Sequence, residues 1–514
     1  VADYFDRSYV TTVRGNVRGR GNPPSSRAFA FALDATLWSH RKGARQLGPH
    51  AFDFSVVKSL SSPSGQWSFS YDAASARLDP LDIEDDDWMG LAIREQFAKT
   101  NDLLMFGPVD GSRRGIKTDD RTGIMTPSGR LTGRDHGKPF EVHDVVFNEF
   151  LQLAEPVLPG LIDAAKFSAL TDLIHANQLT TPGMALFQLL STLVGSDDGW
   201  YYLPQAFGVK ALSNLIAVES DVTDGQLVQL GTYTPEGAQK LDQYLRSLFL
   251  TPFTEFFYDL RPYSDTTHKI DLEPGAGAFF EQFGVIPTVV FRQIPFVELT
   301  SQGSGATMSD AWFNLDTHYV EPSEVLDEDL GRSGSERFTM FSVRAPPFAP
   351  SATLGAWGAS GGRIPAFDFE KSALSPIKGR SLAVDVAKHG LRVLDVSDGL
   401  APLTGSTGAT GERAPALEWL AERTASLYQL YRAIPGMVDG TIKLAHLRPE
   451  IRPGTRLEYD GREYYVEQVE HGGRVDGGSG LLVGETSLTV VHGTPIGEQR
   501  EITSPRAWKA GKLK

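Results

Sequence analysis

Hydrophobic positions in the first part of the chain recur at every second residue. In Gln66-Trp67-Ser68-Phe69-Ser70-Tyr71 the aromatics fall on one face and the polar groups on the other. A strand with one buried face requires that period. Ala28-Phe29-Ala30-Phe31-Ala32-Leu33 alternates small and large residues, and Trp88-Met89-Gly90-Leu91-Ala92-Ile93 reads as a further strand. Asp110-Gly111 reads as a hairpin turn, because glycine tolerates the positive φ that a tight turn needs. Short strands with turns between them predict a sandwich or a small barrel. Gly15 to Pro24 reads as a loop.

From about residue 148 the period lengthens. Thr181-Pro182 opens a stretch with Leu186, Leu189, Leu190 and Leu193 on one face, closing near Gly195. Thr234-Pro235-Glu236 opens a second, striped by Leu241, Tyr244, Leu245, Leu248 and Phe249. The middle is therefore expected to be mainly helical. Strand signals return at Pro287 to Arg292. Loop-rich stretches follow at Ala345 to Gly362 and Gly405 to Gly411. A helix from Pro415 carries Leu417, Leu420, Leu427, Tyr428, Tyr431 and Ile434 before Pro435-Gly436 stops it. The end is β again. Thr441 to Leu444 alternates, Arg456 to Tyr459 and Glu463 to Val466 flank the hairpin pair Asp460-Gly461, and Ser487 to Val491 completes the set. The two β ends read as candidates for diverged copies of one barrel.

Composition narrows the function. The 514 residues contain 49 Lys and Arg against 64 Asp and Glu, a net charge of −15. That balance argues against a dedicated nucleic-acid binder, which needs basic surface to displace phosphate counterions. The absence of cysteine excludes disulfides, zinc–thiolate sites, iron–sulfur clusters and thiol nucleophiles. No apolar run approaches the ~18–20 residues that span a bilayer. The first residues, with Asp3 and Asp6, lack the basic start and apolar stretch of a secretory signal, so synthesis in the cytosol is expected.

No stretch carries a specific catalytic signal. Gly358-Ala359-Ser360-Gly361-Gly362 has the Gly-x-Ser-x-Gly spacing, but its flanks are not the buried strand and helix that hold a nucleophilic serine. Gly111 to Thr118 lacks the glycine that should precede a phosphate-loop lysine, and Gly275-Ala276-Gly277 lacks the third glycine of a dinucleotide loop. His136 and His143 read as structural histidines rather than metal ligands. Glu84-Asp85-Asp86-Asp87 and Asp327-Glu328-Asp329 lack a calcium loop's alternating ligands and mid-loop glycine, and read as solvated acidic faces. Trp67, Phe69 and Tyr71 could line a sugar-binding groove, but at strand spacing they read as core. Tyr464 and Tyr465 point to opposite faces of a strand, so at most one is expected in the core. Arg292 is either a buried ion-pair partner or an edge residue whose head reaches water, and the second is preferred. No catalytic, cofactor-binding or metal-binding residue is assigned, and no cofactor is expected.

Several stretches, taken in order, resemble the tail hub proteins of tailed phages and related contractile injection machines. The first set is Phe106-Gly107-Pro108-Val109-Asp110 followed by Ser128 to His136, with Gly133-Arg134-Asp135 inside it. The second is Phe253 to Arg261 followed by Pro287 to Phe296. The third is Gly440-Thr441-Ile442, Ile451-Arg452-Pro453-Gly454, Tyr464 to His471, and Thr486 to Thr489. Val491-His492-Gly493 stands where the family usually has Arg-Gly.

The resemblance implies an α+β, mainly β fold, with two tail-tube-like β-barrel domains joined by a helical insertion and a mixed α/β domain. The boundaries expected are 1–147 and 413–514 for the barrels, 148–275 for the insertion and 276–412 for the mixed domain. It also implies a non-enzymatic baseplate hub, a homotrimer that adapts a six-fold tail tube to a three-fold spike. Its partners would be the tail tube or distal tube-initiator protein, the central spike protein and the baseplate wedge proteins. DNA would pass through the lumen without specific binding, no membrane would be involved, and the protein would sit in the virion tail after assembly in the host cytoplasm. The acidic excess fits a lumen that does not retain DNA. The alternative is a hub whose insertion carries a cell-wall hydrolase or glycan-binding role.

Overall fold

The computed structural model describes residues 10–11, 29–62, 64–95, 102–118, 123, 125–146, 186, 190, 207, 216–220, 238–249, 253–262, 268–269, 283–295, 312, 314–333, 337–344, 387–397, 423–424, 427, 431, 436–475 and 482–496. Strands dominate them. The first part carries β1 (Val10–Thr11), β2 (Phe29–Ser39), β3 (Gly43–Gln46), β4 (Ala51–Ser59), β5 (Gln66–Asp72), β6 (Trp88–Glu95), β7 (Asp102–Thr118), β8 (Met125–Arg134) and β9 (Asp144–Val146). Helices α1 (Ala73–Ala76) and α2 (Lys138–Val142) are short. The middle adds β10 (Ala217–Ser220), β11 (Ala238–Lys240), helix α3 (Leu241–Phe249), β12 (Thr254–Pro262), β13 (His268–Lys269) and β14 (Val285–Gln293). Then come β15 (Thr317–Tyr319), β16 (Val325–Gly331), β17 (Met340–Arg344), β18 (Val393–Ser397), β19 (Val438–Leu444), β20 (Arg456–Tyr459), β21 (Arg462–Val475) and β22 (Leu482–Pro495).

One 14-stranded sheet runs β1-β2-β6-β7-β8-β5-β4-β21-β22-β19-β16, with β3, β15 and β20 attached at its sides. Its two halves repeat one topology. Strands β4 to β8 are consecutive in sequence and lie in the spatial order β4-β5-β8-β7-β6; β16, β19, β20, β21 and β22 lie in the order β16-β19-β22-β21-β20. The bulges repeat too. β7 shifts register between Val109 and Gly111 where β21 shifts between Val466 and Gln468; β4 shifts between Ala51 and Asp53 where β16 shifts between Val325 and Asp327. Bulges bend a strand and increase its local twist. The halves join where β4 pairs antiparallel with β21, from Ser59 opposite Gln468 to Asp53 opposite Arg474.

Each half packs its own core. The first is built on Phe54, Val56, Trp67, Phe69, Tyr71 and Leu131. The second is built on Ile442, Leu444, Tyr464, Val466, Leu488 and Val490. In every case it is the alternate residue of a strand that turns inward, as the period of two demands. Among the described residues no ladder closes either half into a barrel. A four-stranded sheet β12-β14-β10-β13 stands beside them. A third core, with Phe253, Ile294, Trp312, Phe341, Leu427 and Tyr465, packs it against the second half.

Three sequence expectations need correction. Asp110-Gly111 is not a hairpin turn. It is the bulge inside the 17-residue β7, because the aromatic and aliphatic run before it and the polar run after it pair with different neighbours, β6 and β8. Most of the stretch expected to be mainly helical lies outside the described residues, and among those described strands β10, β11 and β12 accompany helix α3. The stretch from Thr234 does not open a helix at once. Ala238–Lys240 is a strand on β9, and the helix begins at Leu241 with Leu241, Tyr244 and Leu245 buried as the stripe requires.

Other expectations hold. Leu186 and Leu190, and Leu427 and Tyr431, are helical; the rest of those two stripes lies outside the described residues. Asp460-Gly461 is the turn between β20 and β21, with φ of 45° and 71° at its two residues. Two positive φ values match the right-handed twist of the flanking strands.

Candidate functional site

The alternation that buries Trp67, Phe69 and Tyr71 leaves the other face of the sheet polar. That face is continuous across both halves. At one level the successive Cα partners are Asp327, Lys443, Ser487, Glu470, Val57, Gln66 and Arg134, from β16 across to β8. Beside it run Gly472, Ser55, Ser68, Thr132 and Gly111, then Arg474, Asp53, Ser70, Arg130 and Arg113. Small hydroxyl side chains thus floor a shallow trough with charged residues along it. A cleft of about 590 Å3 opens there, lined by Ser55, Ser68, Asp110, Arg130, Arg134 and Glu141 among others.

Charge is not uniform over this face. Lys443 Nζ meets Glu485 Oε1 at 2.9 Å, and that hydrogen bond raises the Lys443 pKa. Lys117 Nζ lies 3.3 Å from Asp53 Oδ2 and 4.5 Å from the centre of the Phe52 ring. Arg113 and Arg130 face each other across the β7–β8 ladder, both exposed, and neither has a carboxylate partner among the described residues. Like charges directly opposite each other in a ladder are unfavourable. The β7 border is therefore basic. The β16 border carries Asp327, Glu328 and Asp329, all exposed, with Glu328 accepting a hydrogen bond from the Tyr459 hydroxyl.

The stretches behind the family resemblance meet in two clusters under this face. Arg134 Nε donates to Asp110 Oδ2 at 2.9 Å, and its guanidinium also pairs with Glu141. Lys138 Nζ lies 2.8 Å from Asp110 Oδ1. Burial alone would raise the Asp110 pKa, but the hydrogen bonds from Arg134 and Lys138 outweigh it and hold the carboxyl below its ordinary value. Asp135 is buried and accepts the backbone N–H groups of Gly65 and Gly137, each at 2.8 Å; its burial raises its pKa to about 6. The Lys58 ammonium sits 3.5 Å from Asp259 on β12, and burial lowers its pKa.

The second cluster centres on Arg292, which corrects the expectation of a head reaching water. Its side chain is 10% exposed. Nε donates to Glu255 Oε2 at 2.9 Å, and Nη2 donates to the Gly454 carbonyl at 2.8 Å and the Tyr465 hydroxyl at 2.9 Å. Strands β12, β14 and β21 and the Ile451 to Gly454 turn are tied together at this one guanidinium. Its fork geometry suits several simultaneous acceptors. Gly454 has a φ of +79°, and a Cβ there would stand 2.4 Å from Arg292 Nη2. Gly454→Ala is therefore expected to cost about 1–3 kcal/mol and lower the thermal midpoint, measured by calorimetry.

Tyr464 and Tyr465 correct the other expectation, that at most one is core. They do point oppositely, but both are buried, because Tyr464 faces the second core and Tyr465 faces the third. Trp67, Phe69 and Tyr71 are core, at 3%, 0% and 0% exposure, and so cannot offer stacking faces to a sugar. The Glu84 to Asp87 run is not simply a solvated face. Asp87 is fully buried, accepting the backbone N–H groups of His40 and Glu84, and Asp86 pairs with Lys138. Asp327 to Asp329 is solvated as expected. Gly111 to Thr118 is strand, while Gly275 to Gly277 and the Gly358 to Gly362 serine lie outside the described residues. Buried His136 sits 3.3 Å from the Thr288 carbonyl, and the His143 carbonyl accepts the Leu241 N–H. Among the described residues no group of three His, Asp or Glu is placed to hold a metal ion.

The polar trough itself was missed by motif reading. Its signal was present as the hydroxyl side of the Gln66 to Tyr71 alternation, which says that a strand has a polar face but not which strands share it.

No protein-family model and no curated protein matches the chain. Among solved structures it is similar to a tail protein from Neisseria meningitidis MC58, at 12% identity and a TM-score of 0.40, covering 90% of this chain and 96% of that one. A 43 kDa tail protein of prophage MuSo2 from Shewanella oneidensis is similar at 11% identity and a TM-score of 0.39, with the same coverages. A Francisella PdpA–VgrG complex matches at 8% identity and a TM-score of 0.38, covering 90% of this chain and 57% of that chain. Overlaps this loose fix neither fold nor role.

Proposed function

We propose that this chain is a structural hub of a phage tail, three copies of which form a ring around a central passage. The observation that carries the reading is the repeated topology. Two copies of one five-strand arrangement, joined edge to edge through β4 and β21, present one continuous polar face. Three such chains place six near-equivalent units around an axis, which lets a three-fold object meet a six-fold one. The hub reading accounts for the ordered motifs, since Asp110, Arg134 and Asp135 in one half and Arg292, Gly454 and Tyr465 at the other serve to lock sheets together.

In this reading each half is a tube-type barrel and the polar trough faces the passage. Hydroxyl groups and mixed charges line it, and its basic residues gather at the β7 border rather than forming a continuous track for DNA. The tail tube would dock on one side of the ring and the spike on the other, with the baseplate wedges outside. The role is mechanical, without turnover. Light scattering on the full chain, and three-fold image averages of tails that contain it, test the proposal. A trimer is the expected result. A single copy inside an intact tail would overturn it.

A further inference from the structure

The eight strands β7-β8-β5-β4-β21-β22-β19-β16 leave two free borders among the described residues. Beyond its bulge β7 pairs only with β8, and β16 pairs only with β19. An open border is a template for another strand. Every ladder between these borders is antiparallel. Eight alternating strands make the two borders run in opposite directions. Two copies related by rotation about an axis along the strands would therefore meet with β16 antiparallel to β7.

The chain already makes this joint once inside itself. By the matched bulges, Gln468 of β21 corresponds to Gly111 of β7, and Asp53 of β4 corresponds to Asp327 of β16. In the internal joint Arg474 stands opposite Asp53, six residues past Gln468. Six residues past Gly111 is Lys117. The same register then sets Lys117 opposite Asp327, Gly115 opposite Asp329 and Arg113 opposite Gly331. Basic residues fall on the β7 side and acidic ones on the β16 side, as they do at Arg474 and Asp53.

Resting on the ring reading above, we propose that a second copy of this chain seats its β16 on β7 in that register. Asp327 meets Lys117, and the acidic border of one copy neutralises the Arg113–Arg130 repulsion of the next through Asp329. Lys117 gives up little to do so, since its pair with Asp53 is half-exposed. The contact is head to tail, so it builds a ring when the rotation between copies closes, and not a two-fold dimer. Opposite charges on the two borders also disfavour β7 meeting β7 or β16 meeting β16.

The test uses the full chain, whose lack of cysteine makes any introduced thiols the only ones present. Lys117→Cys with Asp327→Cys is expected to give disulfide-linked dimers and trimers under mild oxidation. Lys117→Cys with Asp329→Cys places the thiols on a diagonal and is expected to link about tenfold less, because disulfide geometry does not span it. Lys117→Glu and Asp327→Lys should each weaken association about tenfold, and the two together should restore it. Equal linking by both cysteine pairs, or an oligomer by light scattering with no linking at 117 and 327, would overturn this joint while leaving the ring. A monomer in solution and in tails, with no linking, would overturn both.

Discussion

Arg292→Met is expected to destabilise the fold by about 3–5 kcal/mol, because it strands a buried carboxylate and removes the donor for three acceptors at once. Burial alone would lower the Arg292 pKa, but the Tyr465 hydroxyl and the Glu255 carboxylate raise it far above its usual range, so the residue is a fixed cation. Its removal leaves Glu255, whose side chain is 10% exposed, without its paired cation and with the Tyr465 hydroxyl still donating to it. The Gly454 carbonyl loses its side-chain donor as well. Urea denaturation of the full chain measures the loss. Arg292→Met combined with Glu255→Gln should recover part of it, since the stranded charge, rather than the lost ion pair, carries most of the cost. Arg292→Lys should fall between, because an ammonium is a point donor that cannot span Glu255, Gly454 and Tyr465 together. An Arg292→Met variant with an unchanged midpoint would show that the four-stranded sheet contributes no stability through this seam.

The strands were legible wherever one face of a strand meets the core and the other meets water. Gln66 to Tyr71, Thr441 to Leu444 and Ser487 to Val491 announce themselves by alternation, and Asp460-Gly461 by turn chemistry. Strand β12 defeats that reading of the middle. Burial on both faces turns Thr254 to Arg261 into a near-continuous buried run that periodicity cannot separate from helix, whereas the β-branched run Thr288-Val289-Val290 in β14 still reads as strand.

Asp110-Gly111 misleads because the dipeptide has the residue types of a turn, yet neither residue takes a positive φ and pairing partners 21 to 24 residues away make it a bulge. The seam at Arg292 was undecidable for a related reason. Its acceptors come from residues 37, 162 and 173 positions distant, so no local pattern could show that the guanidinium would be enclosed. The polar trough is the same problem at larger scale. Each strand declares its polar side, but the β4–β21 joint that makes one surface of them brings together residues more than 400 positions apart.

Acidification is expected to unfold the protein well before its carboxylates are broadly titrated. His136 and His471 are buried and His492 is half-buried, and desolvation lowers their pKa values to about 3, 4 and 4. An unfolded histidine titrates near ~6.5. Between pH 6.5 and about 4 the unfolded chain binds these protons and the folded chain does not, so stability falls as pH falls. Each histidine costs ~1.4 kcal/mol per pH unit in that window. Asp135 acts in the opposite sense. Its raised pKa of about 6 means the folded state takes up a proton before the unfolded one does, which stabilises the fold from pH 6 downward and offsets one histidine. The raised pKa of Asp439, another desolvated carboxyl, works the same way. The histidines outnumber these groups, and a net loss on the order of 5 kcal/mol by pH 4.5 is expected. Urea midpoints at pH 7, 6, 5 and 4.5 should show an uptake of about two protons on unfolding below pH 6. His492→Asn isolates one contribution. Position 492 has a φ of 59°, which asparagine tolerates, and an amide cannot take up the proton. The variant should flatten the pH slope by one proton while keeping its neutral-pH stability within about 1–2 kcal/mol. A wild-type midpoint that does not move between pH 7 and 4.5 would mean that these imidazoles gain a proton as easily in the folded chain as in the unfolded one.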